Sequence, residues 1–459
     1  MIFGYKDYAK RGMDYPCNFN KYKSVDSALL KDLEVDFYKD GDPVKRTFDE
    51  LKLRTTRDYY DKVESVQVKA LEYARSVFPA YKFIMPDALA DDWLSTVDWH
   101  KKYPSRDHSL HQTLTAYIVN RLLGGGNSQY ALKLNRLSDN NLLDYCASRI
   151  LCSSGTRYLV EFYKELNPDF EQQPDSFKRR WAKDVFYETA MVAALFHDMG
   201  YPWQYINNLK KAIKVADNGM ETDVVGNARS TLEAIRYRLL VYPFFGYSTS
   251  NLRHPTPIMI DNALRLIDSG LKSTHGMPGA LGFLALNDRI RDINYTRRTE
   301  DANYRLVLEW AAVGIMMHDM AKIYWNEKEK KPRNPILRLS FEVDPLSCII
   351  SLADILEEFY RPSAHFDKCT HDVNGVKKEF VNLSYGFPCV GSGIEIVGRH
   401  LNVTYFYEEQ TKANQELKRR QDEVIQYLNP ANGYIDISPL GVTEVNCYAK
   451  DKTDMEIGF

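Results

Sequence analysis

The sequence has no cysteine pattern that would support a disulfide framework or a thiolate metal site. Its seven cysteines are an odd number, lie scattered between Cys17 and Cys447, and nowhere form a C-x-x-C pair. Disulfide scaffolds and structural zinc sites both need paired or clustered cysteines. We therefore expect a protein of a reducing compartment, which points to the cytoplasm.

Long apolar runs and an excess of one charge are also missing. The most apolar stretch, residues 306–317, contains Glu309 and is too short to cross a bilayer, and residues 1–15 have no apolar signal-peptide core. The 60 Lys and Arg against 62 Asp and Glu give a net charge of −2. No overall positive field indicates duplex nucleic acid or an anionic membrane as a partner.

The 459 residues, 44% hydrophobic and 27% charged, predict a folded globular protein that is mainly helical. Apolar residues recur at spacings of three and four from about residue 63 to 360. We predict four firm helices, over residues 105–123, 181–199, 305–322, and from Asp344-Pro345 to just before Pro362. The third is apolar on nearly every side and should lie in the middle of the domain. The run Gly124 to Gly126 ends the first helix and is not a phosphate loop, because no strand precedes it and no Lys-Ser/Thr follows.

The pattern changes after about residue 364. Residues 394–396 and 401–405 alternate like strands, and Asn374-Gly375 is a hairpin-turn signal, so we expect a small antiparallel sheet. A polar helix over 408–427 has no strong apolar face and should lie on the surface. The polar stretches 167–176 and 326–334 are predicted loops. The chain then divides into an N-terminal helical segment (1–95), a helical core with insertions (96–365), and C-terminal β-hairpins with the polar helix (366–459).

Several histidines and acidic residues lie where apolar residues would be expected. His111 shares a helical face with Leu114, Ile118 and others, His197 and His318 each close an apolar helix and precede an Asp, and Asp354 interrupts an apolar run. One such histidine is usually a hydrogen-bonded core residue, and one buried His-Asp pair can be a structural ion pair. Neutral imidazoles and carboxylates that converge from separate helices are the ligands a divalent ion requires.

These residues resemble the HD-domain superfamily of metal-dependent phosphohydrolases, whose signature is a His, an adjacent His-Asp pair and a distant Asp on helices of one bundle. Two-metal members add two His between the pair and the last Asp. The matching segments are 106–111, 193–200, 273–280, 314–318 and 344–362. The resemblance covers about residues 99–362 and implies an HD-type helical bundle there, to which the residue pattern adds the small C-terminal β/α appendage. It implies two divalent ions (Mn, Fe, Mg, Co or Ni) held by His111, His197, Asp198, His275, His318 and Asp354.

The resemblance also implies the chemistry. Asp198 would bridge the ions, and a water held between them would lose its proton and attack phosphorus in a nucleotide substrate. The catalytic candidates are Asp198, His108 as the proton donor to the leaving oxygen, and Lys322 and Arg361 as stabilisers of a phosphoryl oxygen. Every predicted metal ligand precedes residue 366, so residues 366–459 should contribute none.

Three alternatives stay open at this point. A rival alignment uses His275, His318-Asp319 and Asp354 as a mononuclear site and gives His111 and His197-Asp198 structural roles; Lys322 after the second pair and the 86-residue spacing from His111 to His197 favour it. The substrate could instead be a deoxynucleoside triphosphate. A third possibility is a non-catalytic sensor that binds a nucleotide and signals through its C-terminal sheet. The sequence leaves the oligomeric state open.

Overall fold

The structure is a computed structural model, and its described part is mainly helical, as the sequence predicts. The described residues are 1–4, 108–135, 140–152, 160, 163–164, 167–200, 274–293, 302–319, 325–326, 331–332, 338–357, 364–373, 376–385, 387 and 389–457. Most of the predicted N-terminal helical segment lies outside them. The three-part division of the chain therefore stays a prediction.

Six helices form the core, and four of them correspond to the predicted helices, although three of these end earlier than predicted, at Phe196, Met317 and Leu356. The six helices are α1 (His108–Leu122), α2 (Leu142–Cys152), α3 (Asp175–Phe196), α4 (Gly276–Ile293), α5 (Ala302–Met317) and α6 (Pro345–Leu356). Short 3-10 turns cover Gly124–Gly126 and Pro168–Gln172. Helix α3 starts earlier than predicted because Asp175 lies in its first turn, directly after Pro174. No helix in the described ranges has the length and apolar character needed to cross a membrane.

Helices α3 and α5 lie at the centre of this core. Helix α3 packs against α1, α2, α5 and α6, and α5 also packs against α4 and α6. Phe186 of α3 and Trp310 of α5 meet edge to face with ring centroids 5.7 Å apart, and both are buried. The apolar residues 306–317 therefore occupy the interior, as predicted.

The ends of α1 and α6 are set by local signals in the sequence. Gly124, Gly125 and Gly126 all have positive φ, and a Cβ at Gly124 would lie 2.3 Å from the backbone nitrogen of Ala131. The glycine run therefore does terminate α1. At the start of α6, Asp344 Oδ1 accepts a hydrogen bond of 3.1 Å from the backbone N–H of Ser347, with Pro345 at the first helical position.

One sheet contains four strands, which are β1 (Ile2–Gly4), β7 (Gly391–Val397), β8 (His400–Tyr407) and β10 (Glu444–Asp451). Its strand order is β1-β7-β8-β10, so an N-terminal strand joins three strands from the C-terminal part of the chain. Separate two-stranded pairs are formed by β2 (Trp325–Asn326) with β3 (Lys331–Pro332), by β4 (Leu339–Ser340) with β9 (Ile435–Asp436), and by β5 (Ala364–Val373) with β6 (Val376–Tyr385). Asn326, Lys331 and Pro332, which belong to the stretch predicted as a loop, therefore lie in the β2–β3 pair.

The expectation of a purely antiparallel sheet was wrong at two strand pairs, since β4 and β9, like β8 and β10, run parallel. The pairs β1–β7, β7–β8 and β5–β6 are antiparallel, but β8 and β10 are parallel. Helix α7 (Gln410–Leu428) connects them and packs on β10. Parallel neighbours need such a crossover, so the polar helix completes a β-α-β unit.

Helix α7 has a buried face, contrary to the expectation of a solvated surface helix. Its buried positions are Ala413, Glu416, Arg420, Val424 and Leu428. The two charged members are compensated: Arg420 donates to the Tyr407 hydroxyl and lies over the Tyr405 ring, and Glu416 accepts from the backbone N–H of Phe387. Because two of the five buried positions are charged, apolar spacing alone did not indicate this buried face.

Candidate metal centre

The core helices bring a set of histidines and carboxylates together at their ends. His111 lies in the first turn of α1, His197-Asp198 directly follows α3, His275 directly precedes α4, and His318-Asp319 directly follows α5. The last turn of α6 adds Asp354, and Glu357 caps it. The members other than Asp354 are almost fully buried.

Asp198 lies between two pairs of histidines. Its Oδ2 is 3.4 Å from His111 Nε2, and its Oδ1 is 3.1 Å from His275 Nε2. The same Oδ1 is 3.3 Å from His197 Nε2 and 4.0 Å from His318 Nε2. One carboxylate oxygen thus faces His111 and the other faces the remaining three histidines, so Asp198 contacts both pairs.

The ring nitrogen Nδ1 of every histidine in the cluster is held by an oxygen acceptor. His197 Nδ1 donates to the Ala194 carbonyl at 2.8 Å, and His318 Nδ1 donates to the Ile315 carbonyl at 2.7 Å. His111 Nδ1 contacts Glu357 Oε2, and His275 Nδ1 lies 3.1 Å from Asp319 Oδ2. A carbonyl or carboxylate can only accept, so the proton of a neutral ring is on Nδ1 and the Nε2 lone pair points inward.

The inward Nε2 atoms face one another in two close pairs. His111 Nε2 and His197 Nε2 are 3.2 Å apart, and His275 Nε2 and His318 Nε2 are 3.0 Å apart. Two lone pairs at this distance repel unless a proton or a cation lies between them. The donor set therefore fits a metal ion at each pair, with Asp198 shared.

Burial disfavours a proton on two of the four rings, those of His197 and His318. Removal from solvent lowers the pKa of His197 below its usual value, and it lowers the pKa of His318 to about 4, although the nearby aspartates act in the opposite direction. Both rings are consequently neutral near pH 7, which is the form that binds a metal.

Helix α6 holds His111 from both sides. Asp354 Oδ1 lies 3.0 Å from His111 Nε2, and Glu357 contacts Nδ1 of the same ring. Residues three apart on a helix share a face, so one helix end presents both carboxylates. Sequence reasoning missed Glu357, although its i+3 spacing from Asp354 was a usable signal.

Asp319 occupies a different position from Asp198 despite the similar local sequence. Its Oδ2 accepts from the backbone N–H of His275 at 3.1 Å and lies 3.1 Å from His275 Nδ1. It therefore fixes the segment and the ring of His275 from behind. The structure brings together His111, His197, Asp198, His275, His318 and Asp354, the set that the binuclear alignment predicts.

Two glycines permit this close approach of segments. A Cβ at Gly200 would lie 1.8 Å from the His275 carbonyl oxygen and 2.6 Å from the backbone nitrogen of Gly279. A Cβ at Gly276 would lie 2.5 Å from Asp319 Oδ1. A larger residue at Gly200 would separate the turn after α3 from the start of α4, and one at Gly276 would separate the start of α4 from the end of α5.

Some candidates cannot be placed at the cluster. His108 is the first residue of α1, but its side chain lies outside the described part of the structure, as do Lys322 and Arg361. His400 is half exposed and pairs with Glu444 at 3.0 Å, across β8 and β10. The side chains of His371 and Asp372 lie outside the described part of the structure, so the prediction that residues 366–459 contribute no ligand stays a prediction.

Two overlapping groups of buried side chains could each hold a metal ion. One is His111, His197 and Asp198, the other is Asp198, His275 and His318, and the candidate ligand atoms within each lie within 4.8 Å of one another. Asp354 belongs to neither group but contacts His111. Comparisons with protein-family models, curated proteins and solved structures find no match. The cluster is compatible with an HD-like site on its geometry alone.

Proposed function

We propose that the protein is an HD-type phosphohydrolase that uses two divalent ions to hydrolyse a phosphoester or phosphodiester bond of a nucleotide. The observation that carries the proposal is the pair of close Nε2 contacts on either side of Asp198. A structural hydrogen-bond network would place a donor against an acceptor at these contacts. Here four acceptor nitrogens and a carboxylate converge.

The charges of the cluster support two ions rather than one. Asp198, Asp354, Glu357 and Asp319 carry four formal negative charges when ionised, and the four imidazoles are neutral when their protons lie on Nδ1. Four negative charges in a buried cluster are costly without compensation, and two divalent cations supply equal positive charge. The mononuclear alternative would leave half of that charge uncompensated by metal.

The residues of the chain have separable tasks in this proposal. His111, His197 and Asp354 would hold one ion, His275 and His318 the other, and Asp198 both. When bound, such ions lower the pKa of a water and neutralise charge on phosphoryl oxygens. Glu357 and Asp319 orient the rings of His111 and His275, and these orienting contacts are normally needed for full affinity.

Substrate access is favoured on the Asp354 side. The side chain of Asp354 is 24% exposed, whereas those of the other proposed ligands are 6% exposed or less. His108, Lys322 and Arg361 remain the residues that the sequence predicts to contact the phosphate. The substrate would be a cyclic or linear dinucleotide or a nucleoside phosphate.

The proposal is tested by incubating the purified protein with a panel of nucleotides and Mn²⁺, Mg²⁺, Fe²⁺, Co²⁺ or Ni²⁺, with products identified by mass. We expect turnover of at least one phosphodiester or nucleoside phosphate, and loss of turnover in Asp198→Asn. Release of intact triphosphate from a deoxynucleotide would assign the triphosphohydrolase alternative. Tight nucleotide binding without consumption in a single-turnover assay would instead identify a sensor.

A further inference from the structure

The C-terminal sheet reaches the end of the helix that carries Asp354 and Glu357. Ser392 Oγ of β7 donates a 2.8 Å hydrogen bond to the carbonyl of Leu356, and the Tyr405 hydroxyl of β8 donates a 2.9 Å hydrogen bond to the carbonyl of Ile355. Both side chains are fully buried. These contacts link residues far apart in the chain to the helix end beside His111.

The carbonyls involved belong to the last turn of α6, where a helix has no internal partners for them. The final four carbonyls of a helix need side chains, water or a cap, and a buried helix end without partners is unstable. At the end of α6, the backbone N–H of Glu357 still bonds to the Ala353 carbonyl. Ser392 satisfies the carbonyl of Leu356, and Tyr405 satisfies that of Ile355.

We propose that the sheet formed by β1, β7, β8 and β10 is a structural support of the metal centre, and that Ser392 and Tyr405 are positioning residues for Asp354 and Glu357. Ile355 and Leu356 lie between those two carboxylates in the chain. Holding their carbonyls therefore fixes both contacts to the His111 ring. This inference rests on the proposed two-metal function, and it concerns only the ion that His111 would help to hold.

The two hydrogen bonds from the sheet reach the helix end beside the first proposed ion, which makes the inference testable. Asp354, Glu357 and His111 belong to the first proposed ion, whereas His275 and His318 are positioned by Asp319 and by the Ile315 carbonyl. Loss of the sheet contacts should therefore weaken the ion at His111 and leave the ion at His275 unchanged. By linkage, binding of the first ion should also stabilise the sheet.

The experiment titrates Co²⁺ into the full-length protein by calorimetry, with His111→Ala and His318→Ala used to assign the two binding phases. We expect Tyr405→Phe to weaken the His111 phase by about tenfold or more, as for other orienting contacts, with the His318 phase unchanged. Ser392→Ala should act in the same direction. The control is Tyr448→Phe, which removes a hydroxyl from an exposed tyrosine on β10 of the same sheet.

A second measurement does not depend on Tyr405→Phe or Ser392→Ala folding. Amide hydrogen exchange in residues 391–407 of the wild type should slow when Co²⁺ is added, and His111→Ala should lose this protection. Wild-type Co²⁺ affinities in folded Tyr405→Phe and Ser392→Ala, or an equal loss in both phases, would overturn the inference. So would metal-independent exchange in 391–407. A wild-type protein that binds no Co²⁺ would instead refute the two-metal function on which the inference rests.

Discussion

At the scale of single residues, Asp198 and Asp319 follow similar histidines but make different contacts. Asp198 faces histidines on both sides, whereas Asp319 contacts His275 from behind. We predict that Asp198→Ala binds neither ion and has no turnover. Asp319→Ala should weaken metal binding by about 10–100-fold and retain measurable activity at saturating metal. Metal content after gel filtration and steady-state rates measure both effects.

In this comparison, a loss of metal or activity that results from unfolding must be distinguished from the loss of a ligand. Removing one partner from a buried charged cluster can destabilise a protein by about 3–5 kcal/mol. Thermal melting of the metal-free variants provides the control. A folded Asp198→Ala that keeps its metals, beside a folded Asp319→Ala that loses them, would replace the binuclear assignment with the mononuclear one.

Glu357 contacts His111 Nδ1 and is fully buried, so we make a separate prediction for its substitution. Glu357→Ala should lose the orientation of the ring and weaken the His111-side ion by about 10–100-fold. Glu357→Gln keeps an oxygen acceptor for Nδ1–H and should recover most of the affinity. Calorimetric titration of both variants measures these metal affinities. Equal affinities in wild type and Glu357→Ala would show that Glu357 has no role in metal binding.

At the scale of elements, the turn after α3 and the start of α4 meet at Gly200. A Cβ there would overlap the His275 carbonyl. We predict that Gly200→Ala displaces His275, destabilises the protein by about 1–3 kcal/mol and reduces metal binding at His275 and His318. Urea unfolding and Co²⁺ titration measure the two effects.

Gly282 in α4 is the matched control for this substitution. Its Cβ would meet only Met199 Cε at 3.5 Å, an ordinary contact. Because alanine is favoured over glycine inside a helix, Gly282→Ala should be neutral or stabilise by about 0.5–1 kcal/mol. Similar losses of stability and metal in both variants would show that the close approach at Gly200 has no special role.

At the scale of the whole molecule, ions that bind only the folded state should raise its stability. A free metal concentration 100 times the dissociation constant adds about 2.7 kcal/mol per site. We predict that excess EDTA abolishes turnover and lowers the melting temperature, and that Mn²⁺ or Co²⁺ restores both. Full turnover and an unchanged melting temperature in chelator would exclude the metal mechanism.

The sequence by itself determined most of the core helices and the predicted metal ligands. Apolar spacing, the Gly124–Gly126 run and the Asp344-Pro345 start are local signals, and they predicted the ends of α1 and α6 because caps and glycines act on neighbouring backbone. His111, His197, His318 and Asp354 stood out because a His or Asp among apolar residues is costly unless something binds it, and the full set of six candidate ligands followed from the resemblance to the HD pattern.

Only the tertiary structure decided the contacts between distant segments. It separated Asp198 from Asp319, placed Glu357 behind His111, and put Ser392 and Tyr405 against the end of α6. It also made β8 and β10 parallel and buried Arg420 of α7. Such contacts join residues from tens to hundreds of positions apart, and their geometry depends on how helices and sheets pack, which no local pattern encodes.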